Sequence, residues 1–193
     1  MKNKIFIILL YLIFISENFL KANEFIIESE EVKILEKGNI TEAKKGVKII
    51  SNDGIEIRSN ELIYNKKKNI LKVSGDVQIK DKKNNITTEG EEYIYYKNIE
   101  KLVSIGKTRS QIQDKYTIES LDLIYERNLS KIHSQNKSNI IDKNNNNFSF
   151  DKFEFNINRN ILKAKNLSLF DDSKNQYYLS FAVVNLEENK FLG

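Results

Sequence analysis

The chain has no cysteine, no proline and no tryptophan, and one histidine among its 193 residues. Without cysteine there is no disulfide framework, no thiolate metal site and no cysteine nucleophile. A Ser-His-Asp triad or a multi-histidine metal site has only His133 to draw on. An excess of one charge sign is also missing. The 31 basic and 27 acidic residues leave a net charge of +4, too even to argue for nucleic-acid binding. Lys, Asn and Ile dominate, as an AT-rich coding bias produces, so lysine and asparagine abundance carries little functional weight. The length suits one domain, or one domain with a short appendage.

The appendage is at the amino terminus. Lys2 and Lys4 form a short basic region, Ile5 to Phe14 is an unbroken apolar run, and Ala22 suits cleavage before Asn23. A spanning helix takes ~20 apolar residues. Glu17 and Asn18 interrupt the extension of the run through Phe19 and Leu20. Residues 1–22 therefore read as a signal peptide and residues 23–193 as the exported domain. No cysteine follows the apolar run, so a lipoprotein anchor is excluded. An exported chain without cysteine fits a Gram-negative periplasm and must be held by its core and hydrogen bonds.

What the domain has is a repeat. In residues 60–81, Leu62 and Tyr64 alternate on one strand, Asn65 to Asn69 form a polar turn, and Leu71, Val73, Val77 and Ile79 alternate on a second strand around Gly75. The layout returns downstream. Tyr64, Tyr95, Tyr125 and Phe155 are spaced by 31, 30 and 30 residues, and each stands eleven before Gly75, Gly106, Asn136 or Asn166. Gly and Asn tolerate positive φ and close backbone approach. Asp81, Asp114, Asp142 and Asp171 close the second strands. A weaker first copy runs through Val32, Leu35, Ile40 and Gly46, and a last one begins at Tyr177 and Phe181 and supplies one strand and the start of a turn. The chain reads as cut inside a repeat, as the amino-terminal portion of a longer protein would be. No stretch after residue 25 sustains a helical stripe. The domain is therefore expected to be all-β, two strands per repeat and about ten to twelve strands in total. Such repeats bury their faces only by stacking. The stack has two open ends with unpaired backbone groups, to be protected or used for strand addition.

Candidate chemistry is sparse. Glu30-Glu31 and Glu91-Glu92 cannot share an acid–base site, because neighbours on a strand point to opposite faces. Asp171-Asp172 lacks calcium-loop spacing. Asn144–Asn147 and Lys66-Lys67-Lys68 read as solvated turns, and the acceptor patterns at Asn39 and Asn85 as incidental. His133 occupies the repeat position of Lys72, Val103 and Lys163, so a partly exposed, non-catalytic side chain is expected. No catalytic residue, cofactor or metal site is expected. One face does stand out: Leu62, Tyr64, Leu71, Val73, Tyr93, Tyr95, Leu123, Tyr125, Phe153, Phe155 and Leu162. The second strands of the middle copies carry Ser104, Gly106, Thr108, Ser134, Asn136 and Ser138. Two readings stay open: an ordinary core between sheets, or an incompletely filled, open-sided interior that holds an apolar chain.

Residues 61–81 (ELIYNKKKNILKVSGDVQIKD) and 123–142 (LIYERNLSKIHSQNKSNIID) resemble the OstA-like repeat of lipopolysaccharide transport proteins, with Gly75-Asp76-Val77 nearest to the family's Gly-Asn-Val. Residues 175–193 resemble the stretch before the outer-membrane barrel of LptD, and a stand-alone LptA-like bridge is the alternative. Departures are Asn136 and Asn166 in place of Gly, and the eroded first copy. The resemblance implies an open, twisted two-sheet β-jellyroll, non-enzymatic and periplasmic at the outer membrane. It implies that the eleven face residues line the path of lipopolysaccharide acyl chains. It implies that an edge holding Phe25, Ile26, Ile27, Val32, Ile34 and Leu35 pairs with an LptA-like protein. A barrel, if present beyond residue 193, implies an LptE-like lipoprotein partner. Competing classes are a carbohydrate-active β-helix enzyme, which lacks here its clustered acids and its shorter repeat, and a structural or adhesive surface β-protein.

Overall fold

A computed structural model of the chain describes residues 25–171, 173–188 and 190–192. The signal peptide expected over residues 1–22 lies outside the described residues. The rest is one antiparallel, 16-stranded sheet. Its strands are β1 (Phe25–Glu28), β2 (Glu31–Leu35), β3 (Ile40–Ser51), β4 (Ile55–Asn65), β5 (Ile70–Asp81), β6 (Ile86–Tyr96), β7 (Lys101–Ile112) and β8 (Tyr116–Leu121). They continue as β9 (Ile124–Glu126), β10 (Lys131–Ser134), β11 (Ser138–Asp142), β12 (Asn147–Phe150), β13 (Lys152–Asn156), β14 (Ile161–Phe170), β15 (Gln176–Asn185) and β16 (Lys190–Leu192).

Period-two patterning makes these segments strands. In β5, Leu71, Val73, Val77 and Ile79 are buried while Lys72, Asp76 and Lys80 face water. The register slips at one place in each of the four long pairs from β3 to β7: between Lys44 and Val47, Arg58 and Glu61, Ser74 and Val77, and Gly90 and Glu92. A bulge at the same level of successive strands bends the whole sheet along a line. Further along, the bend cuts strands in two, separating β8 from β9, β10 from β11 and β12 from β13. This is why the strands number 16 rather than the ten to twelve expected from unbroken hairpins.

The bend folds the sheet onto itself. The first half-sheet ends in the turns at 36–39, 66–69, 97–100, 127–130, 157–160 and from 186 to 188. The second ends in the turns at 52–54, 82–85, 113–115, 143–146 and around 173–175. We call these two rows of turns the first and second lips. Along the first lip each turn donates a backbone hydrogen bond to the turn before it, from Lys66, Lys97, Arg127, Ile157 and Leu186 to the carbonyls of Asn39, Asn69, Glu100, Ser130 and Asn160, at 2.8–3.0 Å. The 30-residue period of the sequence is this ladder. Side-chain amides and carboxylates take over where ladder bonds fail at the bend: Asn60 donates to Asp76, Asn136 to Asp122 and Asn166 to Asp151, at 3.2, 3.2 and 2.7 Å.

Positive φ occurs at Gly75, Gly106 and Asn166, with values of 78°, 83° and 52°. Asn136 does not share it; the strand is broken there, and the Asn136 backbone N–H donates to the Ser134 hydroxyl oxygen. Asp81, Asp142 and Asp171 each grip the turn that follows them through backbone N–H groups. Asp114 does not: it sits inside its turn at φ 54°, and buried Ile112 ends the strand. The last copy is fuller than expected, since β16 pairs with β15 beyond the turn that opens at 186.

Gly75 and Gly106 differ in their surroundings. A Cβ on Gly75 would sit 2.8 Å from the Asn60 Cβ, while one on Gly106 meets nothing within 4 Å. Gly106→Ala is therefore expected to cost about 1–2 kcal/mol from left-handed backbone alone. Gly75→Ala is expected to cost more, read from urea unfolding midpoints of the two variants.

Candidate functional site

The apolar face foreseen in the sequence forms two parallel rungs across the first half-sheet. One runs Tyr64, Leu71, Tyr95, Leu102, Tyr125, Ile132, Phe155, Leu162, each residue paired with the next. The other includes Leu62, Val73, Tyr93 and Ser104 and, further along the same half-sheet, Ser134, Phe153 and Ala164. Leu62, Leu71, Val73, Tyr93, Tyr95, Leu123, Tyr125, Phe153, Phe155 and Leu162 are all buried, and Tyr64 is half-buried against them. The second wall escaped the sequence reading. It is built largely of isoleucines of the second half-sheet, among them Ile57, Ile79, Ile112, Ile118 and Ile140. Aromatic contacts join the walls: Phe25 to Tyr64 at 5.5 Å, and Tyr116 to Phe155 at 5.4 Å, both edge-on.

The interior is filled in this structure. Large and small residues alternate along the second rung, so Tyr93 sits beside Ser104 and Phe153 beside both Ser134 and Ala164. The hydroxyls are spoken for. Ser104 accepts from the Leu123 N–H, Ser134 donates to the Leu121 carbonyl, and Ser110, Thr88 and Tyr93 form a chain of 2.8 Å bonds. Burial, only partly opposed by the Thr88 bond, pushes the Tyr93 hydroxyl up to about 12. Between the walls a cavity of about 10 Å³ remains, lined by Ile55, Ile79, Tyr95, Leu102, Tyr125 and Arg127 among others, room for about one water.

Arg127 is the feature that sequence patterning missed. It occupies the first-lip turn position filled by Lys66, Lys97, Ile157 and Leu186 in other copies, where a solvated side chain is the default. Its side chain is only 5% exposed. The guanidinium reaches across to the second lip: Nε donates to Asp81 at 2.8 Å, Nη1 to the Asp53 carboxylate and Nη2 to the Asp53 carbonyl, both at 2.6 Å. Glu100 lies 3.8 Å away on its own lip. Tyr125 donates to Asp81 at 2.9 Å and accepts from Asn84 at 3.0 Å. Burial raises the Asp81 carboxyl, but the Arg127 guanidinium, the Asn84 amide and the Tyr125 hydroxyl outweigh it and hold it below the usual carboxylate range. Burial also disfavours the charge of Arg127, and the Asp81 and Asp53 carboxylates more than restore it. The signal available in sequence was composition: the chain has four arginines against its many lysines, and arginine is the cation suited to buried, forked pairing.

His133 lies on the outer face, paired with Glu154 and Ile124, at the level of Lys72, Val103 and Lys163 as expected. It is partly exposed, with burial lowering its pKa and Glu126, 3.4 Å away, opposing that. No group of three or more His, Cys, Asp or Glu side chains suited to a metal occurs among the described residues. The expected edge holds Phe25, Ile26 and Ile27 in β1 and Val32, Ile34 and Leu35 in β2. Among the described residues both strands pair only with β3, on one side. Every residue of β2 is exposed, Ile34 at 69%.

Residues 12–130 match the family profile described as OstA-like protein. Among solved structures, LptH, the LptA-homologous periplasmic component of the lipopolysaccharide transport device of Pseudomonas aeruginosa, aligns at 14% identity and a TM-score of 0.49, covering 54% of this chain and 76% of that one. The TCP10 domain of Danio rerio CPAP, solved with a STIL peptide, aligns at 10% identity and a TM-score of 0.16, covering 81% of this chain and 99% of that one. No curated protein matches. Both superpositions are loose, and the assignment rests on the profile, which spans more than half of the sequence: the chain belongs to the OstA-like protein family.

Proposed function

We propose that this chain is an exported, non-enzymatic β-jellyroll that carries lipopolysaccharide across the periplasm toward the outer membrane. The observation that carries the reading is the continuous apolar rung from Tyr64 to Leu162, which crosses the first half-sheet without a break and faces an isoleucine-rich second wall. An acyl chain entering between the walls would exchange protein–protein contacts for protein–lipid contacts, at about 0.8 kcal/mol for each methylene taken from water. With a cavity of about 10 Å³, loading requires the half-sheets to part. The eleven face residues are the proposed lining. The sugars would stay outside the lips.

The β1/β2 edge would receive an LptA-like partner by strand addition, since its outer backbone groups face no neighbouring strand among the described residues. In the reading we favour, the domain passes lipid to an outer-membrane barrel that works with an LptE-like lipoprotein. A stand-alone LptA-like bridge is the second reading. It is favoured by the opposite end of the sheet, where, among the described residues, β16 pairs only with β15, so that both ends of the described sheet offer an edge. A reading frame that continues past Gly193 into barrel-patterned strands decides for the first, and a stop codon for the second.

The conduit itself is tested by photo-crosslinking. Benzoylphenylalanine at Tyr95 or Phe153 is expected to form lipopolysaccharide adducts in cells, and the same group at outward Ile63 or Ile105, 48% and 43% exposed, is not. Adducts confined to the outward positions would overturn the conduit.

A further inference from the structure

Three clusters outside the apolar rungs invite a role. The groove beside Lys107, Arg109 and Lys137 also holds Glu89 and Glu119, so its charges are mixed and open to water. A second hollow, about 230 Å³, lies between the lips near Tyr116, Asp142 and Glu187. The third is the Arg127 cluster, and it carries the inference.

We propose that Arg127, Asp53 and Asp81 form a latch that ties the two lips together and sets whether the interior is open. The bonds cross from one row of turns to the other and bridge residues 74 and 46 positions apart in sequence. Apart from Asp142, Arg127 and Asp81 are the only buried charged side chains among the described residues. An apolar pair would close the same gap without desolvating charges, and replacing a buried ion pair by well-packed apolar groups is often neutral or stabilising. The polar choice is therefore not explained by stability. It does make the closure separable: a parted ion pair is taken up by water, whereas parted apolar walls are penalised.

Two neighbouring features mark the place where parting starts. The Tyr95 hydroxyl is buried without a hydrogen bond to another protein group, and it lines the same 10 Å³ cavity as Arg127. A hydroxyl that no protein group pairs takes its bond from water wherever water reaches it. Close by toward the carboxy-terminal end, the hollow at Tyr116, Asp142 and Glu187 already separates the lips. On either side of the latch the walls meet through apolar packing, including the aromatic pairs Phe25 with Tyr64 and Tyr116 with Phe155. The latch is thus a charged tie set among apolar contacts along the slot. That it admits acyl chains rests on the conduit reading above.

The test uses the exported chain and two variants that keep Asp81's turn contacts: Asp53→Asn and the double variant Arg127→Met with Asp81→Asn. Spin labels go on cysteines introduced at Lys83 and Leu129, exposed positions on opposite lips; the absence of native cysteine keeps the pair unique. Pulsed-EPR distances are expected to be single and narrow in the parent, and broadened to longer values in both variants. Adduct formation between lipopolysaccharide and benzoylphenylalanine at Phe153 is expected to speed up about tenfold in the double variant, as loss of a charge-assisted bond across the gap implies. Unchanged distances in both variants overturn the latch. Longer distances with an unchanged adduct rate overturn its control of lipid entry and leave the conduit standing. No adduct in any protein overturns the conduit, while the distances still decide whether the cluster ties the lips. Asp53→Asn alone decides the matter if the double variant does not fold.

Discussion

Arg127→Met is expected to destabilise the domain by about 3–5 kcal/mol, the range for breaking a buried ion pair by removing one partner. The cost comes from what is left behind. Asp81 is 3% exposed, and without the guanidinium its charge has only Tyr125 and Asn84 to face it from other elements. Adding Asp81→Asn is expected to recover most of the loss, because asparagine keeps an oxygen for the Lys83 and Asn84 N–H groups and carries no charge to strand. The double-mutant cycle, run by urea unfolding, isolates the pair. A small effect of Arg127→Met would mean that water reaches Asp81 freely. Acid gives an independent readout. The folded carboxyl of Asp81 lies below its usual value. Its contribution is complete above an unfolded pKa of about 3.9 and is lost as pH falls through the lower folded value. The parent is thus expected to lose stability below about pH 4, with a smaller loss from this group in the double variant.

Phe155→Ala is expected to cost about 3–5 kcal/mol, as for other fully buried phenylalanines. Phe155 is 0% exposed. It joins Ile132 and Leu162 within the first half-sheet and touches Tyr116 of the second at 5.4 Å. Truncation leaves a cavity that sheet backbones cannot collapse to fill. Phe170→Ala is the control. Phe170 is 45% exposed at the end of β14, and its change is expected within about 0.5 kcal/mol. Thermal or urea unfolding of the two variants checks both values.

The repeat was readable because it leaves three marks in the chain: alternation, a polar turn and a Gly or Asn at a fixed distance from an aromatic. Tyr64, Tyr95, Tyr125 and Phe155 fall on one rung as their spacing requires. The second wall was harder to see, since its isoleucines lie scattered among the many isoleucines of a compositionally biased chain. The small residues opposite the aromatics read as space, yet neighbouring strands fill it, because packing depends on the adjacent strand and not on the strand alone. Arg127 was invisible to periodicity for the opposite reason. It breaks the pattern of its position, and its partners Asp53 and Asp81 lie in turns that only the bend of the sheet brings near.

The ladder of turns along the first lip has a bearing on how such a molecule can change in evolution. Each inner turn bonds to the one before it and to the one after it, and strand contacts are heaviest between neighbours in the sheet. A duplicated or deleted two-strand unit would therefore meet the same partners on both sides and preserve every register. Each such unit would lengthen or shorten the interior by two strand spacings, about 10 Å. The span of the molecule is set by how many units are joined, independently of the chemistry of any one of them.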